Sequence, residues 1–334
     1  MTKVFIKYAG LTLFVSGSSL KYRSRVRRMI MRGFSAGLKG GAYALIASTL
    51  WGLSGTASSA LFSVYHMPYL SLLTIRMLLS GGILYLFLRP PVPSGRIGLF
   101  LLFSVNLVAV QLTYLAAINY TNAPTATILQ YLFLPAVFIY ELLKGRLRGT
   151  IVLTGMLAIT IIGIFELTTS FPSRGLGLVL NPLGLAFGVL SAVAAATYTL
   201  LSPAMIREFG AESSVTWGLG AGGVISLPLG LYPAISYFSV LGHTLLPQVM
   251  LLVLFVSVLG TMLAFTLFIK SMSSISATQA SLSATMEPLA AAASSFVFLG
   301  LAMSPLQYFG GALIVGSIVI VQIKGGGMFS ERKS

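Results

Sequence analysis

The chain has 334 residues, of which 56% are hydrophobic and only 8% charged, and its mean hydropathy is +0.94. Soluble domains carry about 25% charged residues, so this composition excludes a water-soluble protein and specifies one that lies in a bilayer. The formal charge is +15 and there is no Cys, which excludes disulfides, thiol catalysis and thiolate metal sites.

In chain order, residues 1–40 read as a basic N-terminal extension. "MTKVFIKYAGLTLFVSGSS" has the look of a signal peptide, but "KYRSRVRRMIMR" follows it. Export would leave that basic block outside, against the positive-inside rule. Two readings stay open: a basic tail lying on anionic lipid, or translation that begins at Met29 or Met31. The second is preferred, and no function is assigned to residues 1–28.

Ten apolar segments of about 20 residues, the length that crosses a hydrocarbon core, then follow. They run approximately 41–62, 68–88, 97–118, 123–143, 149–168, 182–205, 214–237, 247–269, 275–299 and 304–323. With the N-terminus inside, the inner loops carry Arg89 and Arg96, then Lys144, Arg146 and Arg148, then Arg207, then Lys270. The C-terminal tail adds Lys324, Arg332 and Lys333, while the outer loops hold only Arg174. This asymmetry predicts an even number of spans with both termini cytoplasmic. It also accounts for the basic excess without a nucleic-acid partner. The expected location is the plasma membrane, with the lipid bilayer itself as a partner.

Span four contains "TATILQYLFLPAVF" and span nine contains "TQASLSATMEPLAA". Setting Pro135 on Pro288 brings Thr125 onto Thr278 and Leu129 onto Leu282 without a gap. Each is the fourth helix of a five-helix unit, and an odd unit must enter the membrane from opposite sides in its two copies. The expected fold is therefore an all-α polytopic membrane protein with ten transmembrane helices as two inverted-topology five-helix repeats. The first repeat covers 41–168 and the second 182–323, with an inter-repeat linker at 169–181 and a cytoplasmic tail at 324–334. Such repeats place a substrate site at the midplane beside interrupted helices.

Several motifs then converge. They are "TLWGLSG" (Trp51, Gly52), "TIRMLLSGG" (Arg76), "AAATYTLLSP" (Tyr198), and "SATQASLSATMEPLAA" (Gln279, Glu287, Pro288) followed by "FLG" at Gly300. Together, over residues 41–323, the chain resembles the drug/metabolite transporter superfamily, in particular its ten-helix EamA-like permeases. The resemblance implies a central cavity lined mainly by helices one, three, four, six, eight and nine. It also implies transport of small polar metabolites, often outward. Where each repeat of the family commonly ends its fourth helix in Gly-Glu, this chain has Gly145-Arg146 and Gly300-Leu301.

The acidic residues are six glutamates and no aspartate. Ionisable groups deep in a membrane point to function, and two stand out, Arg76 in span two and Glu287 in span nine. At 1.5 Å per residue their depths differ by about 6 Å. Either they pair and hold helices together, or Glu287 faces a cavity and binds a cationic group or a coupled proton. Gln279, Ser283 and Glu287 recur every four residues and share one helical face, which must meet protein or water. Pro288 and Pro135 are expected helix breaks. The matching stripe in span four is Thr127, Gln130 and Tyr131, and Leu134 stands where Glu287 stands in span nine.

Further candidate substrate-binding residues are Trp51, Tyr114 and Tyr198. Trp51 fits either stacking on substrate or helix packing. Asn106 and Gln111 share span three with Tyr114 but do not all lie on one face. Thr261 in span eight is a plausible polar liner, and Gly184/Gly188 and Gly218/Gly222 read as close helix packing. No cofactor and no metal site are expected, because HExxH, GxSxG and Walker A patterns are missing. The resulting expectation is a secondary-active or facilitative transporter, an exporter of metabolites such as amino acids working by alternating access, not an enzyme. A sugar-phosphate or nucleotide-sugar transporter of the same superfamily ranks second, and a membrane-embedded enzyme or scaffold is the rival from another class.

Overall fold

The structure, a computed structural model, describes residues 4–8, 11–15, 20–121, 123–145, 150–169, 181–299 and 304–328. Residues 170–180 of the predicted linker, and also Arg146, Arg148, Gly300 and Leu301, lie outside these. A short antiparallel pair of strands, β1 (Val4–Tyr8) and β2 (Leu11–Val15), comes first. Everything else that is regular among the described residues is helical.

Each predicted span falls on a helix or on a broken helix. The continuous ones are α1 (Leu20–Ser63), α2 (Tyr69–Leu88), α3 (Ile97–Tyr120), α6 (Thr150–Thr169), α7 (Pro182–Phe209), α8 (Ala211–Val240) and α13 (Pro305–Met328). Span four is divided into α4 (Ala123–Gln130) and α5 (Phe133–Leu143), and span nine into α11 (Ala277–Ala284) and α12 (Met286–Leu299). Span eight is α9 (Leu246–Leu254) and α10 (Ala264–Ser271) joined by a π-helix, Phe255–Leu263. Seven rods among the described residues are long and apolar enough to cross a membrane, and Ile151–Glu166 and Pro305–Ile320 are shorter apolar helices. The protein is an all-α polytopic membrane protein.

α1 runs unbroken through residue 40, so the N-terminal extension and the first span share one helix. Nothing between Leu20 and Ser63 stops it: the segment holds no Pro, and an interior Gly costs only about 1 kcal/mol.

The rods pair as α2 with α8, α3 with α7, α6 with α13, α1 with α10 and α12, and α4 with α7. This pattern is unchanged when the first five spans are exchanged for the last five. Outward faces carry bare apolar side chains such as Phe87, Ile151, Val193 and Leu251, as a lipid-facing surface requires. Inward faces are built from small residues that let backbones approach. A Cβ at Gly184 would overlap Thr121, at Gly188 Leu129, at Gly218 Leu107 and at Gly222 Met77. Buried hydroxyls mostly donate to the carbonyl four residues back, as Ser48 does to Ala44 (2.8 Å) and Thr160 to Met156 (2.8 Å).

The two breaks follow from the prolines. A helical Pro lacks the N–H that would bond the carbonyl four residues back, and its ring crowds that carbonyl. For Pro135 that residue is Tyr131, where α4 gives way to α5, and for Pro288 it is Ala284, where α11 ends. The Tyr131 carbonyl is satisfied locally, by the amide of Leu134 (3.0 Å). The Ala284 carbonyl instead accepts the hydroxyl of Tyr131, so one break is tied to the other.

α1 lies directly against the second break. A Cβ at Gly52 would overlap the carbonyl oxygen of Glu287 and stand 2.8 Å from both Ala290 Cβ and the Ala291 nitrogen. Ser48 donates to the Ser283 carbonyl (3.2 Å), and Thr56 meets Ser294 hydroxyl to hydroxyl (2.8 Å). Gly52→Ala is therefore expected to lower unfolding stability in detergent by about 1–3 kcal/mol, the usual cost of overpacking. Gly316→Ala, where added bulk meets nothing within 4 Å, serves as the neutral control.

Candidate functional site

The break in span nine puts Glu287 in the first turn of α12, at the positive end of a half-helix, where an anionic side chain is favoured. Glu287 is only 7% exposed. Its carboxylate accepts from two phenols, Tyr114 at Oε1 (3.3 Å) and Tyr131 at Oε2 (3.3 Å). Tyr114 comes from α3, and its hydroxyl also meets Thr127 of α4 at 3.1 Å. Tyr131 comes from the break in span four. Both broken helices thus converge on one carboxylate.

Arg76 of α2 is 4% exposed. Its Nε donates to Thr261 Oγ1 at 2.7 Å, and Thr261 donates in turn to the Val256 carbonyl at 2.8 Å. That second bond spans five residues and lies within the π-helix, whose wider turn aims the hydroxyl at α2. π-helical segments occur mostly at functional positions. Arg76 and Glu287 form no ion pair with each other, and both face the same space.

That space is a cavity of about 70 Å³ lined by seven of the nine predicted charged and polar candidates: Trp51, Arg76, Tyr114, Gln130, Tyr131, Tyr198 and Glu287. Gln130 is tied across to α7, where its amide donates to Ser191 (2.9 Å). Trp51 packs on Phe265 and Phe268, with ring centroids 5.1 and 4.8 Å away. Tyr198 packs on Phe103 and Phe265 at 5.5 and 5.6 Å. These rings form a floor on the side of the Lys270 loop. On α1 the lining climbs away from that floor through Ser54 and Gly55 to Ser58. Two buried N–H donors at the lining, Trp51 Nε1 and Gln111 Nε2, have no hydrogen-bond partner among the described residues. Among the described residues no three His, Asp or Glu side chains gather as a metal ion would require.

Gln279 and Ser283 are not part of the lining. The stripe expected to join them to Glu287 assumes a continuous helix, and the break at Thr285 divides it. Gln279 completes a capping box with Ser276 at the start of α11, and Ser283 donates to the Gln279 carbonyl (2.8 Å). Of the span-three amides, Gln111 reaches the cavity and Asn106 does not. Thr261 holds Arg76 from behind and does not line the cavity. Phe265 and Phe268 also line the cavity, and the signal for them in the sequence is their spacing of three residues on span eight, which marks a shared helical face.

Comparison with known proteins gives a consistent picture. The model of the EamA-like transporter family matches residues 182–323. An uncharacterized inner membrane transporter of Salmonella typhimurium, YicL, is 33% identical over 295 residues, covering 85% of this chain and 95% of that protein. An uncharacterized transporter of Archaeoglobus fulgidus is 24% identical over 208 residues, covering 62% of this chain and 70% of that one. A solved crystal structure shares the fold with a TM-score of 0.63 at 19% identity, over 86% of this chain and 96% of that chain.

The Arg76–Thr261 bond yields a direct test. Thr261→Val keeps the shape and removes the acceptor of a buried guanidinium N–H, so it is expected to cost about 1–3 kcal/mol in unfolding stability. Thr261→Ser, which keeps the hydroxyl, is expected to stay near the parent. Equal stability of the Val variant and the parent would show that the bond does not hold Arg76.

Proposed function

Because the chain belongs to the EamA-like transporter family of the drug/metabolite transporter superfamily, we propose that it exports a small zwitterionic metabolite of the amino-acid class across the plasma membrane. The substrate site is the cavity between Glu287 and Arg76. The two halves, 41–168 and 182–323, rock around it in alternating access, with a proton as the coupled ion and both termini in the cytoplasm.

One observation carries this reading: a buried acid and a buried base share one cavity without pairing. A zwitterion supplies the missing partner of each. Its ammonium meets the Glu287 carboxylate beside the faces of Tyr114 and Tyr131. Its carboxylate meets the guanidinium of Arg76 together with the N–H groups of Trp51 and Gln111, which have no partner among the described residues. The lining carries one guanidinium and no Lys, which is too little for a phosphorylated substrate, where several cations are favoured.

The dimensions support movement of the halves. Small-molecule sites run from about 300 Å³ upward, and this cavity is about 70 Å³. A metabolite enters only when the lining helices separate. The proline breaks give spans four and nine places to flex. With the substrate gone, a proton on Glu287 is the smallest change that lets the empty cavity close without a lone buried charge.

In proteoliposomes, Glu287→Gln is expected to cut amino-acid flux by roughly 10- to 100-fold, the loss of one charge-assisted hydrogen bond. It should also flatten the dependence of flux on pH. An unchanged pH profile would remove Glu287 as the coupling site, and absence of flux for every amino acid with the parent protein would remove the substrate class.

A further inference from the structure

A second cavity lies at the face that carries the basic loops, well away from Glu287. It is larger, about 640 Å³, and is formed where α1, the segment after α2, the start of α8 and the segment after α10 come together. Its lining holds three cations, Lys39, Arg89 and Lys270, and one anion, Glu212. Lys270 and Glu212 satisfy each other at 2.6 Å. That leaves Lys39 and Arg89 without an acidic partner among the described residues. Lys39 stands 5.8 Å from the ring of Tyr43. Arg89 caps the C-terminus of α2 in a left-handed conformation, φ 41°, held by its own N–H to the Tyr85 carbonyl. This geometry is uncommon for a residue with a side chain.

The same space meets the N-terminus of α8, a helix of 30 residues with no side-chain cap at Gly210. The amides of Ala211, Glu212 and Ser213 precede the first helical bond, from Ser214 to Gly210 (3.1 Å), and such free amides favour an anion. Ser273 and Ser274 add hydroxyls on a third side. The remaining wall is apolar, with Leu88 and Phe209, and Leu86 and Phe87, which precede Leu88 on α2, are bare. Two cations without an acidic partner among the described residues, an uncapped helix start and hydroxyls surround this pocket.

The geometry points to a phosphate-binding site here, separate from the transport cavity. It takes a phosphate group carried either by the headgroup of an anionic phospholipid or by a soluble ion. Basic pockets between helices on this side of a membrane suit such headgroups. Nothing in this inference depends on what the Glu287 cavity transports.

Native mass spectrometry of the full chain in neutral detergent tests it, with phosphatidylglycerol, phosphatidylcholine and inorganic phosphate as probes. The double variant Lys39→Gln/Arg89→Gln changes only exposed side chains that have no ion pair among the described residues, so it is expected to fold. Arg96→Gln, outside the pocket, controls for general loss of charge. Phosphatidylglycerol should bind the parent and the Arg96→Gln variant alike, and bind the double variant about 30-fold more weakly. Binding that inorganic phosphate leaves undisturbed assigns the site to lipid, and competition by phosphate assigns it to the soluble ion. Equal binding to parent and double variant, equal loss in the Arg96→Gln control, or no preference over phosphatidylcholine overturns the proposal.

Discussion

Pro288 has no amide hydrogen to give the Ala284 carbonyl, and the rest of the site is arranged around that missing bond. The freed carbonyl takes the hydroxyl of Tyr131, which stands at the equivalent break of span four. The same break starts α12 at Met286 and brings Glu287 into its first turn. Helix α1 can follow this irregular segment closely only because residue 52 is Gly. A backbone defect in one helix, a phenol from another and a missing side chain on a third thus fix one carboxylate in the interior. Broken helices survive at membrane depth only when protein or a water-lined cavity satisfies their freed groups, and here protein does, through the Leu134 amide and the Tyr131 hydroxyl.

Arg76 is held by different means. Its Nε bonds a threonine whose own proton is committed inside a π-helix, so the guanidinium has one fixed side and one side turned to the cavity. Charge of each sign therefore enters from a different rod, and neither rod has to move to release the other. In an alternating-access cycle this separation matters. A direct Arg76–Glu287 pair would have to be broken for each substrate molecule bound, at a cost that buried pairs make large.

Much of this was legible in the chain. The apolar helices, the positions of both breaks and the burial of Arg76 and Glu287 followed from apolar run length, proline and the rarity of charge inside such runs, which are local properties. Glu287 and Tyr131 could be singled out because a polar residue in an apolar run is conspicuous. What was not legible depends on rotation and on partners distant in sequence. Gln279 and Ser283 share a face with Glu287 on an ideal helix, and the turn at Thr285 takes them off it. Thr261 looks like a liner until the π-helix turns it toward α2. Phe265 and Phe268 look like lipid contacts in composition, and only the tertiary fold puts them under Trp51 and Tyr198. The pocket of Lys39 and Arg89 could not be foreseen either, because loop charges read as topology signals until four segments bring them together.

The central claim is that the space between Glu287 and Arg76 is reached by water and substrate from one face at a time. The chain has no Cys, so a single Ser58→Cys substitution gives a specific reporter at the cavity end opposite the aromatic floor. The measurement is its labelling by a membrane-impermeant maleimide added to one side or the other of oriented vesicles. Reaction is expected from the face with few basic loops, slowed when an amino acid of the proposed substrate class is added. Reaction only with a lipid-soluble maleimide, or labelling that no substrate alters, would contradict it.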